Sequence, residues 1–345
     1  MADPSPRAGS GAVAGGAPQR PQRILIVKLT SLGDVIKALP VVDDIRRALP
    51  GATVDWVVER PVDRLLALCE GLDAVIPLEL RRFRKERRYG AALRAALRDL
   101  GQLRARRYDC IVDLQGRRKS AIVAALARGP VIGPAPGPSS EPMYHRLYRR
   151  TVDRASIDGL DAITVNRVLA ARALGYPLPE RAPHFGLRAA AAPASDLAPQ
   201  APFAVLVHGS SRPEKTWPEA DWIELGLRLS RRGLRCLLPW GDAGERARAL
   251  RLAAGIGDAL VPERMPSLPE WVGLLGAARL VVGVDSGLTH LAAASGAPTI
   301  AIFTATSAAI FRVEADTPHR NLGDGRGPVP LSEVLDAADA LLAAS

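Results

Sequence analysis

The chain has 345 residues, of which 48% are hydrophobic and only 4% aromatic, and its formal net charge is +10. This length predicts about two domains, with cores packed mainly by aliphatic side chains. The composition argues against a membrane-spanning helix, because no apolar run approaches the roughly 18 residues that such a helix needs.

Three cysteines, Cys69, Cys110 and Cys236, are far apart in the sequence and match no metal-binding spacing. An odd, scattered set favours reduced thiols in the cytoplasm over a disulfide framework. Residues 1–22 are rich in Ala, Gly and Pro and lack the apolar segment of a signal peptide. We therefore predict a disordered tail at 1–22 and a cytoplasmic protein.

Short apolar runs alternate with amphipathic ones along the first half of the chain. The strand candidates are Ile24–Lys28, Thr53–Val58, Ala74–Ile76, Cys110–Asp113 and Val131–Ile132. The predicted helices lie at 41–48, 61–70, 89–106, 119–127 and 158–174. This alternation predicts a parallel sheet with crossover helices, in an N-terminal domain that spans 23–185.

The positive charge is concentrated in residues 81–107, which hold eleven Arg or Lys against two acids, Glu86 and Asp99. Such a block indicates either an anionic partner or a solvated face. Nucleic acid, an acidic membrane surface and a phosphorylated substrate all fit this charge.

The βα pattern restarts after a Pro- and Ala-rich stretch, Gly175–Gln200, within which we place a linker at 186–200. The predicted strands are Phe203–Val207, Leu234–Leu238, Leu280–Val284 and Thr299–Phe303, and the predicted helices are Glu219–Arg232, Gly244–Ala254 and Leu331–Ala344. The second domain spans 201–345. The fold class is therefore α/β, with two domains that each contain a parallel sheet.

A tight turn separates a strand from a helix at residues 284–290, where the sequence reads VDSGLTH. The first amides of a helix lack partners within the helix and carry partial positive charge, and Gly287 lets an anion approach them. The turn therefore suggests a diphosphate site. A plain helix cap at Asp285 or Ser286 explains the shape equally well.

A second turn of this design follows the first strand and ends in a carboxylate, Asp34. Because open parallel sheets bind ligands beyond the carboxyl ends of their strands, two facing sheets would bring the two turns together. Neither first strand is followed by a Walker A loop or by G-x-G-x-x-G, which argues against ATP or NAD binding.

Seven segments, in order, resemble one family. They read VKLTSLGD at 27–34, DWVVE at 55–59, RRFRK at 81–85, DLQGRRKS at 113–120, HGSSR at 208–212 with KTW at 215–217, LPWG at 238–241 and VDSGLTH at 284–290. On these segments the chain resembles the ADP-heptose lipopolysaccharide heptosyltransferases, glycosyltransferase family 9, and most closely the type I members. The resemblance covers about residues 23–340.

The resemblance implies a GT-B fold, with the acceptor in the N-terminal Rossmann-like domain and the nucleotide sugar in the C-terminal one. It also implies an inverting, metal-independent transfer of L-glycero-D-manno-heptose from ADP-heptose to a Kdo sugar of Kdo2-lipid A. No cofactor is implied. The transfer needs a base for the acceptor hydroxyl, and Asp34 suits that role. Asp34 could instead be the N-cap of the helix at Val35.

The departing diphosphate gathers negative charge, which cations and helix amides must stabilise in the absence of a metal motif. Lys215 suits this catalytic task, although a surface lysine is the simpler interpretation. The resemblance and the turn chemistry together assign a larger set to the donor: Ser210, Ser211, Lys215, Glu245, Met265, Asp285, Ser286, Gly287, Leu288 and His290. Glu245 matches a ribose-binding position, Met265 a position beside adenine, and Asp285 a position near the heptose hydroxyls.

The acceptor carries phosphates and carboxylates, which arginine can bind through two hydrogen bonds at once. We assign to it Arg81, Arg82, Arg84, Lys85, Asp113, Gln115, Lys119, Arg146 and Arg149. The same basic residues would hold the enzyme peripherally on the anionic cytoplasmic face of the inner membrane. A solvated face remains an alternative for each arginine.

Three other functions compete with this assignment, and one of them, a non-catalytic GT-B protein that only binds sugar, is disfavoured by the presence of Asp34. The chain could be a type II heptosyltransferase, or another family 9 transferase with a different acceptor. The basic block could also bind nucleic acid, but the sequence lacks the helix-turn-helix, zinc-finger and RNA-recognition signatures, so we expect no nucleic-acid partner.

Overall fold

The computed structural model describes residues 21–79, 89–137, 143–189, 195–210 and 212–344. In the first half the strands are β1 (Arg23–Val27), β2 (Thr53–Glu59), β3 (Ala74–Leu78), β4 (Cys110–Asp113), β5 (Val131–Pro134) and β6 (Arg150–Val152). The helices are α1 (Leu32–Ile36), α2 (Pro40–Ala48), α3 (Asp63–Leu66), α4 (Tyr89–Arg104), α5 (Arg118–Leu126) and α6 (Ala162–Leu174).

The second half repeats this plan. Its strands are β7 (Phe203–Val207), β8 (Arg235–Leu237), β9 (Ala259–Leu260), β10 (Leu280–Val284), β11 (Thr299–Ile302) and β12 (His319–Leu322). Its helices are α7 (Glu219–Arg231), α8 (Ala243–Ile256), α9 (Leu268–Gly276), α10 (Gly287–Ala294), α11 (Ala308–Phe311) and α12 (Leu331–Ala343). Among the described residues no helix combines the length and the apolarity that a bilayer span requires.

Both sheets are parallel and have the same strand order. The first runs β3-β2-β1-β4-β5-β6, and the second, taken from its other edge, runs β9-β8-β7-β10-β11-β12. In each sheet the order reverses between the first and fourth strands, where the crossover helices change faces. Ligands of such sheets bind in the crevice beyond the carboxyl ends of these two strands. The site is therefore expected after β1, β4, β7 and β10.

The predicted alternation of strands and helices is confirmed, and Cys110–Asp113, Phe203–Val207 and Leu280–Val284 have the predicted bounds. Two helices are more than two residues shorter than predicted. The helix expected at 61–70 ends at Leu66, since Cys69 forms a bridge to Leu187 and Gly71 adopts a positive φ. The helix expected from 158 begins at Ala162, because the Asp161 carboxylate accepts the first free amides.

Three strands and two helices were not predicted: β6, β9, β12, α9 and α11. β6 and β12 are short edge strands with polar sequences, Arg-Thr-Val and His-Arg-Asn-Leu, and they lack the apolar run of a central strand. The domain limits at 185, 186 and 200 stay predictions. Residues near the first of them still belong to the first half, where Gly186 O accepts a bond from Glu70 N.

Aliphatic side chains dominate the core, as the composition predicts. One buried cluster is continuous between the halves and joins residues of β1 and α2 to residues of β7, α9 and α10. Separate clusters fill the other face of each sheet. The two halves therefore pack against each other through apolar side chains.

Candidate functional site

A cleft of about 720 Å³ lies between the two halves. It is lined by the turn after β1 (residues 30–34), by residues after β7 and by the turn after β10 (residues 285–288). The expected meeting of the two turns is thus confirmed. The volume falls within the usual range of pockets for small molecules and cofactors.

The two turns touch through glycines. A Cβ built on Gly287 would lie 3.2 Å from Leu32 Cδ2 and 3.3 Å from Gly33 N, and one built on Gly33 would lie 3.5 Å from Gly287 Cα. At Gly287 even a methyl group would force its neighbours to move. The backbones of α1 and α10 therefore approach as closely as they do because Gly287 has no side chain.

Asp34 is exposed on α1 and lines the cleft. Its Oδ2 accepts hydrogen bonds from Ser31 N at 3.0 Å and from Ser31 Oγ at 2.9 Å. Ser31 is the N-cap and Asp34 the third helical residue, so the alternative interpretation of Asp34 as N-cap is wrong. Within the described residues both hydrogen bonds to this carboxylate go to Oδ2, which leaves Oδ1 able to take a proton.

The N-terminus of α10 faces the same space. Ser286 is the N-cap, and its Oγ accepts from Thr289 N at 3.4 Å. The amides of Gly287 and Leu288 belong to the first turn of the helix, where no intrahelical acceptor exists. All three residues line the cleft. Capping uses the Ser286 hydroxyl, whereas an anion would bind the amides of Gly287 and Leu288, so the two interpretations of this turn do not exclude each other.

Lys215 is bound to Asp285 across the second half. Lys215 Nζ donates to Asp285 Oδ2 at 2.6 Å, and Thr306 Oγ1 donates to the same oxygen at 2.8 Å. The interpretation of Lys215 as an ordinary surface lysine is wrong, because its side chain is only 17% exposed. Burial opposes ionisation of Asp285, but bonds from His290, Lys215 and Thr306 outweigh it and hold the carboxyl pKa well below its ordinary range.

His290 lies one turn into α10 with Nε2 3.4 Å from Asp285 Oδ1. Burial lowers its pKa to about 4, and the nearby Lys37 ammonium acts in the same direction. The imidazole is therefore neutral at pH 7, and because the Asp285 carboxylate can only accept, the single ring proton lies on Nε2 and is donated to Asp285.

The other predicted donor residues also belong to the second half. Glu245 Oε2 accepts from Gly241 N at 2.6 Å, and its carboxylate covers Gly209, where a Cβ would lie 2.5 Å from Glu245 Oε1. Ser210 Oγ donates to Asp285 O at 3.3 Å. Glu245, Ser210 and Met265 all line the cleft. Ser211 lies outside the described residues.

None of the five predicted acceptor residues within the described ranges lines the cleft, and for Asp113 and Gln115 the assignment is corrected. Asp113 is fully buried and accepts bonds from the amides of Gln115 and Gly116 and from the Ser120 and Tyr148 hydroxyls. Burial raises its pKa despite these bonds. Gln115 Oε1 accepts from Leu29 N at 2.7 Å. Both residues therefore support the turn after β1 rather than a ligand.

The remaining predicted acceptor residues lie apart. Lys119 forms an ion pair of 2.9 Å with Glu59, which lines the cleft. Arg146 and Arg149 are exposed but do not line it. Arg81, Arg82, Arg84 and Lys85 lie outside the described residues.

The cleft is also lined by residues that were not predicted, among them Lys37, Arg60, Arg64 and Trp240. For Lys37 the signal was available, since a residue three positions after Asp34 shares its helix face. Trp240 Nε1 donates to Pro262 O at 2.7 Å, which fixes the indole, and both Trp240 and Met265 line the cleft.

No three His, Cys, Asp or Glu side chains in the described ranges lie close enough together to hold a metal ion. The positive groups that face the cleft belong to side chains and helix amides instead, with Lys215 and α10 on one side and Lys37 on the other.

The family model described as glycosyltransferase family 9 (heptosyltransferase) matches residues 97–321. The chain is 41% identical over 286 residues to lipopolysaccharide heptosyltransferase 1 of Pseudomonas aeruginosa. The aligned region covers 83% of this chain and 79% of that protein.

Solved structures agree in fold. E. coli heptosyltransferase WaaC with ADP matches with a TM-score of 0.81 and 30% identity, over 92% of this chain and 99% of that one. WaaC with ADP-2-deoxy-2-fluoro heptose matches with a TM-score of 0.76 and 31% identity, over 93% of this chain and 99% of that one. The two facing Rossmann-like sheets are therefore a GT-B fold, as predicted.

Proposed function

We propose that this chain, which belongs to glycosyltransferase family 9, transfers L-glycero-D-manno-heptose from ADP-heptose to a Kdo residue of Kdo2-lipid A, with inversion and without a metal. One observation carries the proposal: an exposed carboxylate from one half and a cationic helix N-terminus from the other meet in a single cleft. The relatives named lipopolysaccharide heptosyltransferase 1 support the choice of substrates.

In the proposed complex the diphosphate lies at the amides of Gly287 and Leu288, where helix-end charge favours an anion. The Lys215 ammonium is bonded to Asp285, which directly precedes this turn. From there the ammonium can reach the phosphates. Trp240 and Met265 flank the adenine, and Glu245 accepts bonds from the ribose hydroxyls. The WaaC structures with ADP and with an ADP-heptose analogue support this placement.

Asp34 lies opposite the diphosphate site, on the other half. Its carboxylate takes the proton of the acceptor hydroxyl as that oxygen forms a bond to the anomeric carbon. The bond from the anomeric carbon to the diphosphate oxygen breaks on the opposite face, so ADP leaves and the anomeric configuration inverts. Lys215 and the α10 amides stabilise the charge that ADP gains.

Incubation of the protein with ADP-heptose and Kdo2-lipid A tests the proposal. We expect a mass increase of one heptose on the lipid and an equal yield of ADP. Transfer to an already heptosylated core but not to Kdo2-lipid A would assign the chain to a different acceptor.

We expect the reaction to continue in EDTA, because Lys215 and the α10 amides meet the diphosphate charge without a metal. The measurement is the initial rate of ADP release after dialysis against the chelator, with and without added Mg²⁺. A rate that EDTA abolishes and Mg²⁺ restores would contradict the metal-independent mechanism.

The acceptor is a lipid, and α5 offers a surface suited to a membrane. Ile122 and Leu126 lie one turn apart on this helix and are 46% and 42% exposed. Arg118 at one end and Arg128 just beyond the other are also exposed. Aliphatic side chains bracketed by arginines are typical of helices that lie in the interface of an anionic bilayer. We propose that this face holds the enzyme on the cytoplasmic surface of the inner membrane.

The double variant Ile122→Ser, Leu126→Ser should bind anionic vesicles about tenfold more weakly or worse, since burying one aliphatic side chain is worth roughly 1.5 kcal/mol or more. Cosedimentation with phosphatidylglycerol vesicles measures this. The matched control is Leu250→Ser, which removes a leucine that is 48% exposed on α8 in the other half. Equal losses in both variants would rule out a specific role for α5.

A further inference from the structure

Lys37 directly follows α1, three residues after Asp34. Its side chain is only 5% exposed, yet it lines the cleft. Residues three apart in a helical turn share a face, so the ammonium and the Asp34 carboxylate lie on the same side of the first half.

The chain contains a second buried lysine that shows how such a group is normally satisfied. Lys28 Nζ donates to Leu114 O at 2.9 Å and to Asn166 Oδ1 at 3.1 Å. For Lys37 Nζ, by contrast, the described residues provide no recorded hydrogen-bond or ion-pair partner. Its recorded contact is with the Phe311 ring, whose centroid is 5.3 Å away. An aromatic face attracts the cation but does not accept three N–H bonds.

The charged groups that act most strongly on Lys37 are cleft residues, namely Asp285, Asp34 and Lys215. Burial lowers the pKa of this lysine, while the carboxylates of Asp285 and Asp34 oppose that shift. Lys215 Nζ lies 5.9 Å from the same Phe311 ring centroid. A desolvated ammonium without hydrogen bonds is costly. An anionic oxygen that entered the cleft would remove this cost.

Two substrates bring anions to the cleft, and the position of Lys37 distinguishes them. The diphosphate is matched by Lys215 and the α10 amides, all on the second half. Lys37 belongs to the first half and is one turn from the base. The acceptor sugar of the proposed function carries a carboxylate close to the hydroxyl that reacts.

We propose that the Lys37 ammonium binds the carboxylate of the acceptor sugar and thereby holds the attacking hydroxyl at Asp34. This inference rests on the proposed function for the identity of the acceptor. It assigns Lys37 a selective task, which is to distinguish an acidic sugar from a neutral one of the same shape.

Isothermal titration calorimetry on the full chain tests this with O-deacylated Kdo2-lipid A, with the same compound after methyl esterification of its carboxylates, and with ADP-heptose. We expect Lys37→Met to weaken binding of the acid by roughly 10- to 100-fold, the range for a hydrogen bond between two charged groups. Affinities for the ester and for ADP-heptose should stay at their wild-type values.

Lys28→Met is the matched control. It removes two internal hydrogen bonds, so it should lower Tm while keeping the wild-type preference for acid over ester. Lys37→Met should keep or raise Tm, because it replaces an unpaired buried charge by an apolar chain of similar length. A fall in Tm for Lys37→Met with the preference intact would show a structural lysine.

Three further results would overturn the inference. If Lys37→Met lost affinity only for ADP-heptose, Lys37 would be assigned to the diphosphate. Equal losses of affinity for the acid and the ester would show that Lys37 does not bind the carboxylate. Wild-type protein that binds neither acceptor would overturn both the proposed acceptor and this inference. Wild-type protein that binds the acid without transferring heptose would contradict the proposed function alone, and the comparison of variants would still decide the role of Lys37.

Discussion

Asp34→Asn is expected to lower the rate of heptose transfer by about 10²–10⁴-fold, the usual contribution of a general base. An amide cannot take the hydroxyl proton, but its oxygen can still accept the two bonds from Ser31 that cap α1. The helix should therefore persist, and ADP-heptose affinity should change little, since the donor site lies on the other half. Single-turnover kinetics with Kdo2-lipid A and calorimetry with ADP-heptose measure the two effects.

Ser31→Ala is the matched control for this variant. It removes the hydroxyl that donates to Asp34 at 2.9 Å but keeps the carboxylate. We expect a loss of about tenfold or less, since one hydrogen bond contributes roughly 0.5–1.5 kcal/mol. Wild-type turnover in Asp34→Asn, or a larger loss in Ser31→Ala, would remove Asp34 from the role of base.

Lys215→Ala should lower kcat by about 10²–10³-fold, a typical cost of losing one group that stabilises developing charge. Negative charge on the diphosphate grows toward the transition state, so a fixed ammonium stabilises that state more than the bound donor. The donor Kd should therefore rise by a smaller factor than kcat falls. Steady-state kinetics and calorimetry with ADP-heptose separate these quantities.

Thr306→Val controls for the other contact of Lys215. Both residues donate to Asp285 Oδ2, at 2.6 and 2.8 Å, but only Lys215 carries charge. If the loss in Lys215→Ala came from a displaced Asp285, Thr306→Val should share it. A raised KM with unchanged kcat in Lys215→Ala would assign the lysine to ground-state binding.

The sequence predicted those parts of the fold that depend on local pattern. Apolar runs at 203–207 and 280–284 mark central strands, and small residues after them mark turns. Two such turns, one with Asp34 and one with Asp285, were enough to predict a shared cleft, because strand ends of parallel sheets have a common direction. What was predicted well is thus set by residues that are neighbours in sequence.

The errors depend on distant partners. Asp113 was assigned to the acceptor as part of the segment DLQGRRKS, but its carboxylate accepts a hydrogen bond from Tyr148, 35 positions later in the chain. The spacing of Lys37 from Asp34 places both residues on one helix face, but it does not show that the lysine is buried. Its importance follows from the burial of its side chain and from Phe311, which comes from the other half of the chain.

The glycine contact between α1 and α10 has a consequence for the length of the proton transfer. Across Gly33 and Gly287 the two turns meet backbone to backbone, so no rotamer can lengthen or shorten the gap between them. A methyl group on Gly287 would act as a spacer against Leu32, and misplacement of reacting groups by about 1 Å can cost about 10²-fold in rate. The distance from the Asp34 carboxylate to the opposite half thus depends on Gly287, a residue that has no functional group.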